Sequence, residues 1–341
     1  MLEALLKETE LQKDYLGKEG VETIYFGGGT PSLLPIDDLR SQVNKIRQNF
    51  TVLPGPEITL EANPDDINEE RLIGWKEIGI NRLSIGVQSF FEEDLLWMNR
   101  AHNADQAIGS LQLAVKFFDD ITLDLIYGHP LLSNEKWKQN VEKVIALNIP
   151  HISCYALTVE PKTPLSKLIK EKKREDIQQE KQAEQFLLLM EWLENAGYEH
   201  YEISNFAKPG FRSRHNSSYW QGKKYLGLGP SAHSFNGKSR QWNISNNKTY
   251  IESLEKNEIS FEMEILTLSQ KTNEYIMTSL RTMEGLDISK IPEAMSNELE
   301  SASRKFIESG KLTLKENKLL LTREGKLFAD GIAADLFIDA V

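Results

Sequence analysis

The sequence predicts an α/β protein: an open or partial βα barrel followed by a mostly helical module that carries a hairpin. Three observations predict it. Short β-branched and aromatic runs alternate with amphipathic stretches up to Leu157, the pattern of βα units on a parallel sheet. The chain has 341 residues, 40% hydrophobic and 27% charged, enough for one large domain and a smaller one. From Glu262 onward, helices surround one short hairpin, Lys311 to Leu314 and Lys318 to Leu321.

Taken in order, Leu2 to Leu16 has apolar residues at helical spacing and reads as an amphipathic helix. Val21 to Phe26 reads as a buried strand, stopped by Gly27-Gly28-Gly29 and followed by Thr30-Pro31-Ser32. Pro35 to Phe50 is a helix, Glu57 to Glu61 a strand, Asn68 to Ile78 a helix and Arg82 to Val87 a strand. Helices at Glu92–Met98 and Ala104–Phe118 precede a strand at Ile121–Tyr127. A helix at Asn134–Leu147 then leads to a strand at Ile152–Leu157. Lys170 to Asp176 reads as the charged surface of a helix, and Gln178 to Asn195 as a strong amphipathic helix stopped by Gly197. Tyr198 to Phe206 looks extended, Ser213 to Gly237 a packed loop region and Asn246 to Asn257 a linker helix. Helices are expected at Ser269–Met283, at Asn297–Ser309 and from Thr322 to about Phe337. The expected domains are 1–240, a linker at 241–261 and a winged-helix-like module at 262–341.

A formal net charge of −11 argues against a general nucleic-acid binder. The hairpin is therefore taken as a lid or interaction element rather than a DNA wing. The single cysteine, Cys154, excludes internal disulfides and any all-cysteine metal site within one chain, and fits a reducing cytoplasm. No apolar run is long enough to span a bilayer, and no signal peptide is visible. An unpaired edge on Val21–Phe26 would invite dimerisation.

Candidate chemistry gathers at the C-terminal ends of the strands, where βα folds hold their ligands. The glycine loop offers backbone N–H groups at close approach. Glu61, Gln88 and Asp124 lie at or near strand ends, and Arg100 sits between two helices. Together they suit a zwitterionic, polyol-bearing ligand: N–H groups and an Arg for a carboxylate, carboxylates for an amine and hydroxyls. His102 and His129 lack metal-ligand partners at useful spacing, and no nucleophile elbow appears.

The runs Gly27-Gly28-Gly29-Thr30-Pro31-Ser32, Leu60-Glu61-Ala62-Asn63-Pro64, Arg82 to Phe90, Asn99-Arg100-Ala101-His102 and Asp124 to Gly128 resemble radical SAM proteins. Within that superfamily they are similar to the group of oxygen-independent coproporphyrinogen III oxidases and HemW haem chaperones. The resemblance implies a (βα)6 TIM-like partial barrel. It also implies S-adenosylmethionine contacts from Gly28, Gly29, Thr30, Glu61, Gln88, Arg100 and Asp124, and from Thr158 at a further matching position. The family's C-x-x-x-C-x-x-C loop, whose thiolates hold a [4Fe–4S] cluster, has no counterpart here. The first strand and cluster loop are thus expected to be missing, with Met1 a late start. No catalytic residue and no reductive cleavage of SAM are expected of the chain as written. Gly128-His129-Pro130-Leu131-Leu132 also departs from the family, which more often has Leu and Gln there.

A second constellation is His215-Asn216-Ser217-Ser218-Tyr219-Trp220, flanked by Lys208, Arg212, Arg214, Lys223 and Lys224. Read from residue types alone, it is a buried histidine with aromatic packing. That reading wins for an isolated histidine, against an axial imidazole beside porphyrin-stacking rings and a basic island suited to propionates. H-N-x-x-Y-W resembles the haem-binding motif that separates HemW chaperones from the oxidases. The resemblance makes His215 the expected metal ligand, with Tyr219 and Trp220 beside it. His233 is a weaker candidate. The expected activity is haem binding and delivery to acceptor apoproteins, with membrane contact only through an acceptor. The alternatives are propionate decarboxylation of coproporphyrinogen III in a longer parent, or a cluster-free SAM binder.

Overall fold

The computed structural model describes residues 1–338. Helix α1 (Leu2–Leu11) precedes strand β1 (Val21–Phe26), α2 (Ile36–Asn49), β2 (Val52–Ala62), α3 (Glu69–Glu77) and β3 (Arg82–Gln88). Next come α4 (Glu92–Trp97), α5 (Ala104–Ala114), β4 (Asp120–Tyr127), α6 (Asn134–Ala146) and β5 (His151–Ala156). They are followed by α7 (Pro164–Lys170), α8 (Gln179–Asn195), β6 (Glu199–Glu202), β7 (Asn205–Ala207), α9 (Arg214–Trp220), β8 (His233–Phe235) and β9 (Ser239–Asn243). The chain continues through α10 (Asn247–Glu255), β10 (Phe261–Ile265), α11 (Leu268–Leu280), β11 (Leu286–Asp287), α12 (Glu293–Glu308), β12 (Leu312–Lys315), β13 (Lys318–Leu321) and α13 (Ala329–Asp335).

Seven strands form one sheet in the order β1-β2-β3-β4-β5-β7-β6. Strands β2 to β5 run parallel, and β7 and β6 continue the sheet antiparallel. Several of the helices between them start where side chains satisfy their first N–H groups. Asn68 accepts from Arg71 N, Ser133 from Lys136 N, and Asn103 and Gln106 form a capping box on α5.

Two compact units divide the chain. One, the barrel unit, holds residues 26–33 and 59–213. Its sheet is two-sided. Leu60, Leu83, Ile85, Leu123, Leu125, Ile152 and Phe206 are all almost fully buried on one face. The alternate residues Thr59, Glu61, Arg82, Ser84, Thr122, Asp124, His151 and Ser153 make the other face polar. Trp75 and Trp137, fully buried, are the largest side chains in the helical layer.

The second unit holds residues 1–25, 34–58 and 214–341. In it α1 packs with α10 through Ala4, Tyr250 and Leu254. Glu8 is fully buried there and accepts hydrogen bonds from Gly229 N (2.8 Å), Asn243 Nδ2 (2.5 Å) and Tyr250 Oη (2.5 Å). Strands β10-β9-β8 form a small antiparallel sheet, and β11-β13-β12 form another. The latter shares a core with α11, α12 and α13 through Ile276, Leu299, Leu319 and Ile332.

Several expected boundaries are corrected. Helix α1 stops at Leu11 instead of Leu16, and β2 starts at Val52 instead of Glu57. The charged run after Lys170 is not a helix. The chain leaves α7 through Lys172 at φ +56°, and Lys173 N bonds back to Leu168 O. Tyr198–Phe206 is two strands, and the expected loop at Ser213–Gly237 contains α9 and β8. The last helix begins late because Thr322 turns the chain, accepting from Gly325 N. A Cβ on Gly325 would lie 1.9 Å from Lys311 O, so only glycine fits against the hairpin there.

Glu8→Ala strips the acceptor from three buried donors. It is expected to destabilise the protein by about 3 kcal/mol, read from urea unfolding midpoints. An unchanged midpoint would show that the buried carboxylate is not a structural hub.

Candidate functional site

In the barrel unit, the glycine loop and the end of β2 meet directly. Gly28 and Gly29 have φ of +75° and +65°, in the left-handed region open to glycine. A Cβ on either would meet no atom within 4 Å, so the loop borders open space. Gly28 N donates to Glu61 Oε2 at 3.1 Å. Thr30 opens the turn that follows, its carbonyl accepting from Leu33 N, and Ser32 Oγ donates to Asp66 Oδ2 at 2.7 Å.

A bulge in β3 builds the next part. Ile85 pairs with Leu123 and Gln88 with Leu125, so β3 carries one more residue than β4 between these pairs. Gln88 sits at φ +70°, a strained position for a residue with a side chain. His102, buried, is 3.0 Å from Val87 O through Nε2 and pins the bulge from behind. Burial lowers the His102 pKa, which keeps the ring neutral.

Arg100 crosses this bulge. Its Nη2 donates to Gly86 O and to Asn63 Oδ1, both at 3.0 Å. A Cβ on Gly86 would lie 3.1 Å from Gln88 Nε2, 3.4 Å from Arg100 Nη2 and 3.8 Å from Asn63 Oδ1. Three polar side chains therefore converge on one glycine. Arg100 Nε is buried without a partner, and desolvation depresses its guanidinium pKa while Asp65 and Asp124 oppose the fall.

Asp124 lies on the polar face, paired in register with Ser153. Burial raises its pKa from 3.8 to about 7; a Ser153 hydrogen bond and the Arg82 and Arg100 charges hold it down, and Glu61 pushes it up. Beside it, Ser153 Oγ donates to Asn205 Oδ1 (2.9 Å), and Asn205 Nδ2 to Glu202 Oε2 (2.5 Å). Thr158 lies exposed beyond β5, with its hydroxyl 3.4 Å from Ala156 O. The structure thus brings Gly28 to Glu61 and Gln88 to Arg100, with Asp124 electrostatically coupled to Glu61 and Arg100. It gives Thr158 no contact with them. Sequence reasoning passed over Asn63 and Gly86 as site residues. Their signal was the Asn-Pro step ending β2 and a lone glycine inside a strand.

This donor set fits S-adenosylmethionine: a glycine loop that borders open space, an arginine and a glutamine around one point, and carboxylates nearby. It does not fit an iron–sulfur cluster. Cys154, the one cysteine, is buried, its thiol pKa is pushed well up by desolvation, and no set of three metal-ligating side chains occurs among the described residues.

In the second unit, α9 carries the other candidates. Glu57 anchors the start of α9 with both oxygens, accepting from Arg214 N and His215 N at 2.8 Å each. The His215 ring stacks on Tyr25 at 4.7 Å between centroids. Its Nδ1 lies 2.8 Å from Thr23 Oγ1 and its Nε2 3.1 Å from Tyr219 Oη. Burial lowers the His215 pKa against the pull of Glu57, so the imidazole is neutral at pH 7, the form that ligates metals. Trp220 has Nε1 buried without a partner, and the Arg281 guanidinium sits 5.3 Å over its ring.

The expected basic island is corrected. Lys223 pairs with Glu22, Lys224 with Glu19, and Arg214 donates to the Gly55 and Glu22 carbonyls. Lys208 and Arg212 belong to the barrel unit and bind Asn148 and Glu199 there. Carboxylates answer Arg212, Lys223 and Lys224, backbone carbonyls answer Arg214, and an amide oxygen answers Lys208. His233 is exposed on β8, stacked 6.2 Å from Trp242.

The Asp124 pKa sets a pH prediction. The folded state binds more protons than the unfolded one between pH 3.8 and about 7, so stability falls as pH rises through that window. Asp124→Asn is expected to flatten this part of a Tm-against-pH curve. An identical slope in the variant would remove Asp124 as its source.

Comparison with known proteins follows the same lines. Residues 5–144 match the radical SAM superfamily and residues 266–328 the HemN C-terminal domain. The chain is 32% identical over 325 residues to the haem chaperone HemW of Bacillus subtilis, covering 93% of this chain and 85% of that one. The Mycobacterium tuberculosis HemW is 32% identical over 335 residues, covering 98% and 85%. The Escherichia coli HemW is 36% identical over 232 residues, covering 67% and 60%. The fold matches the Escherichia coli coproporphyrinogen III oxidase HemN, a radical SAM enzyme, with a TM-score of 0.82 at 22% identity, over 98% of this chain and 82% of that one. With HemW relatives 32% identical over more than nine-tenths of its length, the chain belongs to the HemW family within the radical SAM superfamily.

Proposed function

We propose that this chain binds haem through His215 and passes it to acceptor proteins, on a scaffold whose barrel unit binds S-adenosylmethionine. The observation that carries the reading is the geometry of His215: an imidazole held through Nδ1 by Thr23 and stacked on Tyr25, in a chain similar to HemW proteins. Thr23 fixes the ring through Nδ1, as an outer hydrogen bond orients a metal-bound histidine. Nε2 is the nitrogen left for iron, and to reach it haem must displace the Tyr219 hydroxyl. Bound haem supplies an iron with an open axial position. Tyr219, 39% exposed, lies where a porphyrin would have to approach. The acceptor is an apoprotein, and no helix among the described residues is long and apolar enough to cross a membrane.

Haem titration followed by the Soret band tests this. His215→Ala is expected to weaken haem binding at least about tenfold, the loss of one good ligand bond. Tyr219→Phe keeps the ring and frees Nε2, so it is expected to bind as tightly as wild type or tighter. Equal spectra for wild type and His215→Ala would overturn the assignment.

For S-adenosylmethionine, Arg100 would meet the carboxylate with Gly28 and Gly29, and Glu61 and Gln88 the amine. Gly86→Ala places a methyl 3.1 Å from Gln88 Nε2 and 3.4 Å from Arg100 Nη2, crowding both of these groups. It is expected to weaken SAM binding about tenfold by calorimetry, with Arg100→Ala weaker still. Unchanged affinity in both variants would place SAM elsewhere.

A further inference from the structure

Strand β10 is the edge of its sheet, with β9 on one side only. Its five residues, Phe261-Glu262-Met263-Glu264-Ile265, are all exposed. The register puts Glu262 opposite Trp242 and Glu264 opposite Arg240, and Phe261, Met263 and Ile265 opposite Asn243, Gln241 and Ser239. The last three are buried, so the apolar side chains of β10 continue the covered face of the sheet past its cover. Phe261 is 45%, Met263 55% and Ile265 75% exposed. A flat edge with exposed apolar side chains is a template for another strand.

The start of β10 carries a second feature. A cleft of about 540 Å³ opens there, lined by Ser231, His233, Trp242, Ile259, Phe261 and Glu262. Trp242 and His233 stack to form its aromatic wall, and Trp242 Nε1 donates to Glu262 Oε2 at 3.2 Å. An aromatic face beside a carboxylate favours a cation. Arg240, across from Glu264, is engaged by Glu274 instead.

We propose that the free edge of β10 docks an extended segment of a partner polypeptide in which basic and apolar residues alternate. A strand added there places every second side chain beside Phe261, Met263 and Ile265, and the others beside Glu262 and Glu264. Apolar residues suit the first set and Lys or Arg the second, with one cation seated over Trp242. A second copy of this chain fits poorly. Antiparallel pairing of two β10 strands centred on Met263 sets Glu262 against Glu264 of the copy, and like charges directly opposite repel. The inference is independent of the haem and SAM readings.

The test uses the full chain and fluorescent heptapeptides followed by anisotropy. Lys-Val-Lys-Val-Lys-Val-Lys is expected to bind wild type. A Glu262→Lys/Glu264→Lys double variant is expected to bind it about tenfold more weakly and to prefer Glu-Val-Glu-Val-Glu-Val-Glu, a swap that two cross-strand ion pairs of about 0.7 kcal/mol each would give. Met263→Lys is expected to lose binding while far-UV dichroism stays unchanged. The proposal fails if wild type does not bind the peptide, or if Lys-Lys-Lys-Lys-Val-Val-Val binds equally well. It also fails if the double variant binds like wild type, or if sedimentation shows a dimer that Met263→Lys dissociates.

Discussion

A polar group shut inside a sheet must find a partner there, and the barrel unit is built around meeting that demand on one whole face. Arg82 is almost fully buried, which without partners would cost several kcal/mol. Asp120 pairs with its guanidinium and the Thr122 hydroxyl accepts from it, both from the neighbouring strand. His151 Nε2 meets Tyr201 Oη at 2.7 Å, and Ser153 meets Asn205. The antiparallel pair β6 and β7 supplies both of these partners. Its place in the sheet is thus set by hydrogen-bond demand as well as by the apolar packing of Phe206. The demand is not met completely at either end of the strands: Thr59 Oγ1 and His151 Nδ1 are buried without a partner. Asp124 keeps a proton up to about pH 7, and Arg100 keeps a buried Nε with no partner. Incompletely satisfied groups at the ligand end of a βα sheet are what a polar ligand is recognised by.

The bulge in β3 converts that layer into a site. A regular strand would point residues 86 and 88 to the same side at ordinary spacing. The extra residue instead drives Gln88 into the left-handed region and lets Arg100 lie across Gly86. Such strain persists only where the surroundings over-determine it. Here His102 holds Val87 O, Ser89 N bonds Val87 O at 2.9 Å, and Asn140 holds Phe90 N at 2.9 Å. The residues that grip the bulge are buried and those that it presents are half-buried, so support and display are separated along four consecutive positions.

This division explains what was legible in the sequence. The βα alternation and strands β1 to β5 could be read because strand residues are apolar on one face and helices carry capping side chains such as Asn68, Asn103 and Ser133, whereas the short strands β8 to β11 were not. The likeness of the glycine loop, Glu61, Gln88, Arg100 and Asp124 to a family was visible because those residues sit in short contiguous motifs. Asn63, Gly86 and the Ser153–Asn205–Glu202 chain were not, because their role lies in contacts between strands. Helix α9 was read as loop since its seven residues have no apolar period, and what starts it is Glu57, far back in the chain. The basic island misled for the same reason. Its counter-charges Glu19 and Glu22 lie some two hundred positions away in sequence, where no local charge count reaches them.

On the proposal that His215 ligates haem iron, the arrangement around its ring bears on how the cargo could be both held and released. A permanently vacant nitrogen in a half-buried ring would carry a desolvation penalty, whereas Tyr219 Oη covers Nε2 at 3.1 Å. Exchanging that contact for an iron bond costs about 1 kcal/mol, the net worth of an ordinary hydrogen bond. The cost is small beside a ligand bond, yet it is recovered when the ligand leaves. The other contacts of the ring need not change: Thr23 holds Nδ1, Tyr25 covers the face, and Glu57 fixes the helix start. One hydroxyl would then act as the resting partner of the imidazole, while the unit keeps the ring in the same orientation with or without haem. In the reading proposed here, transfer requires only that an acceptor outcompete a single axial bond, because the donor side is already supplied with a replacement.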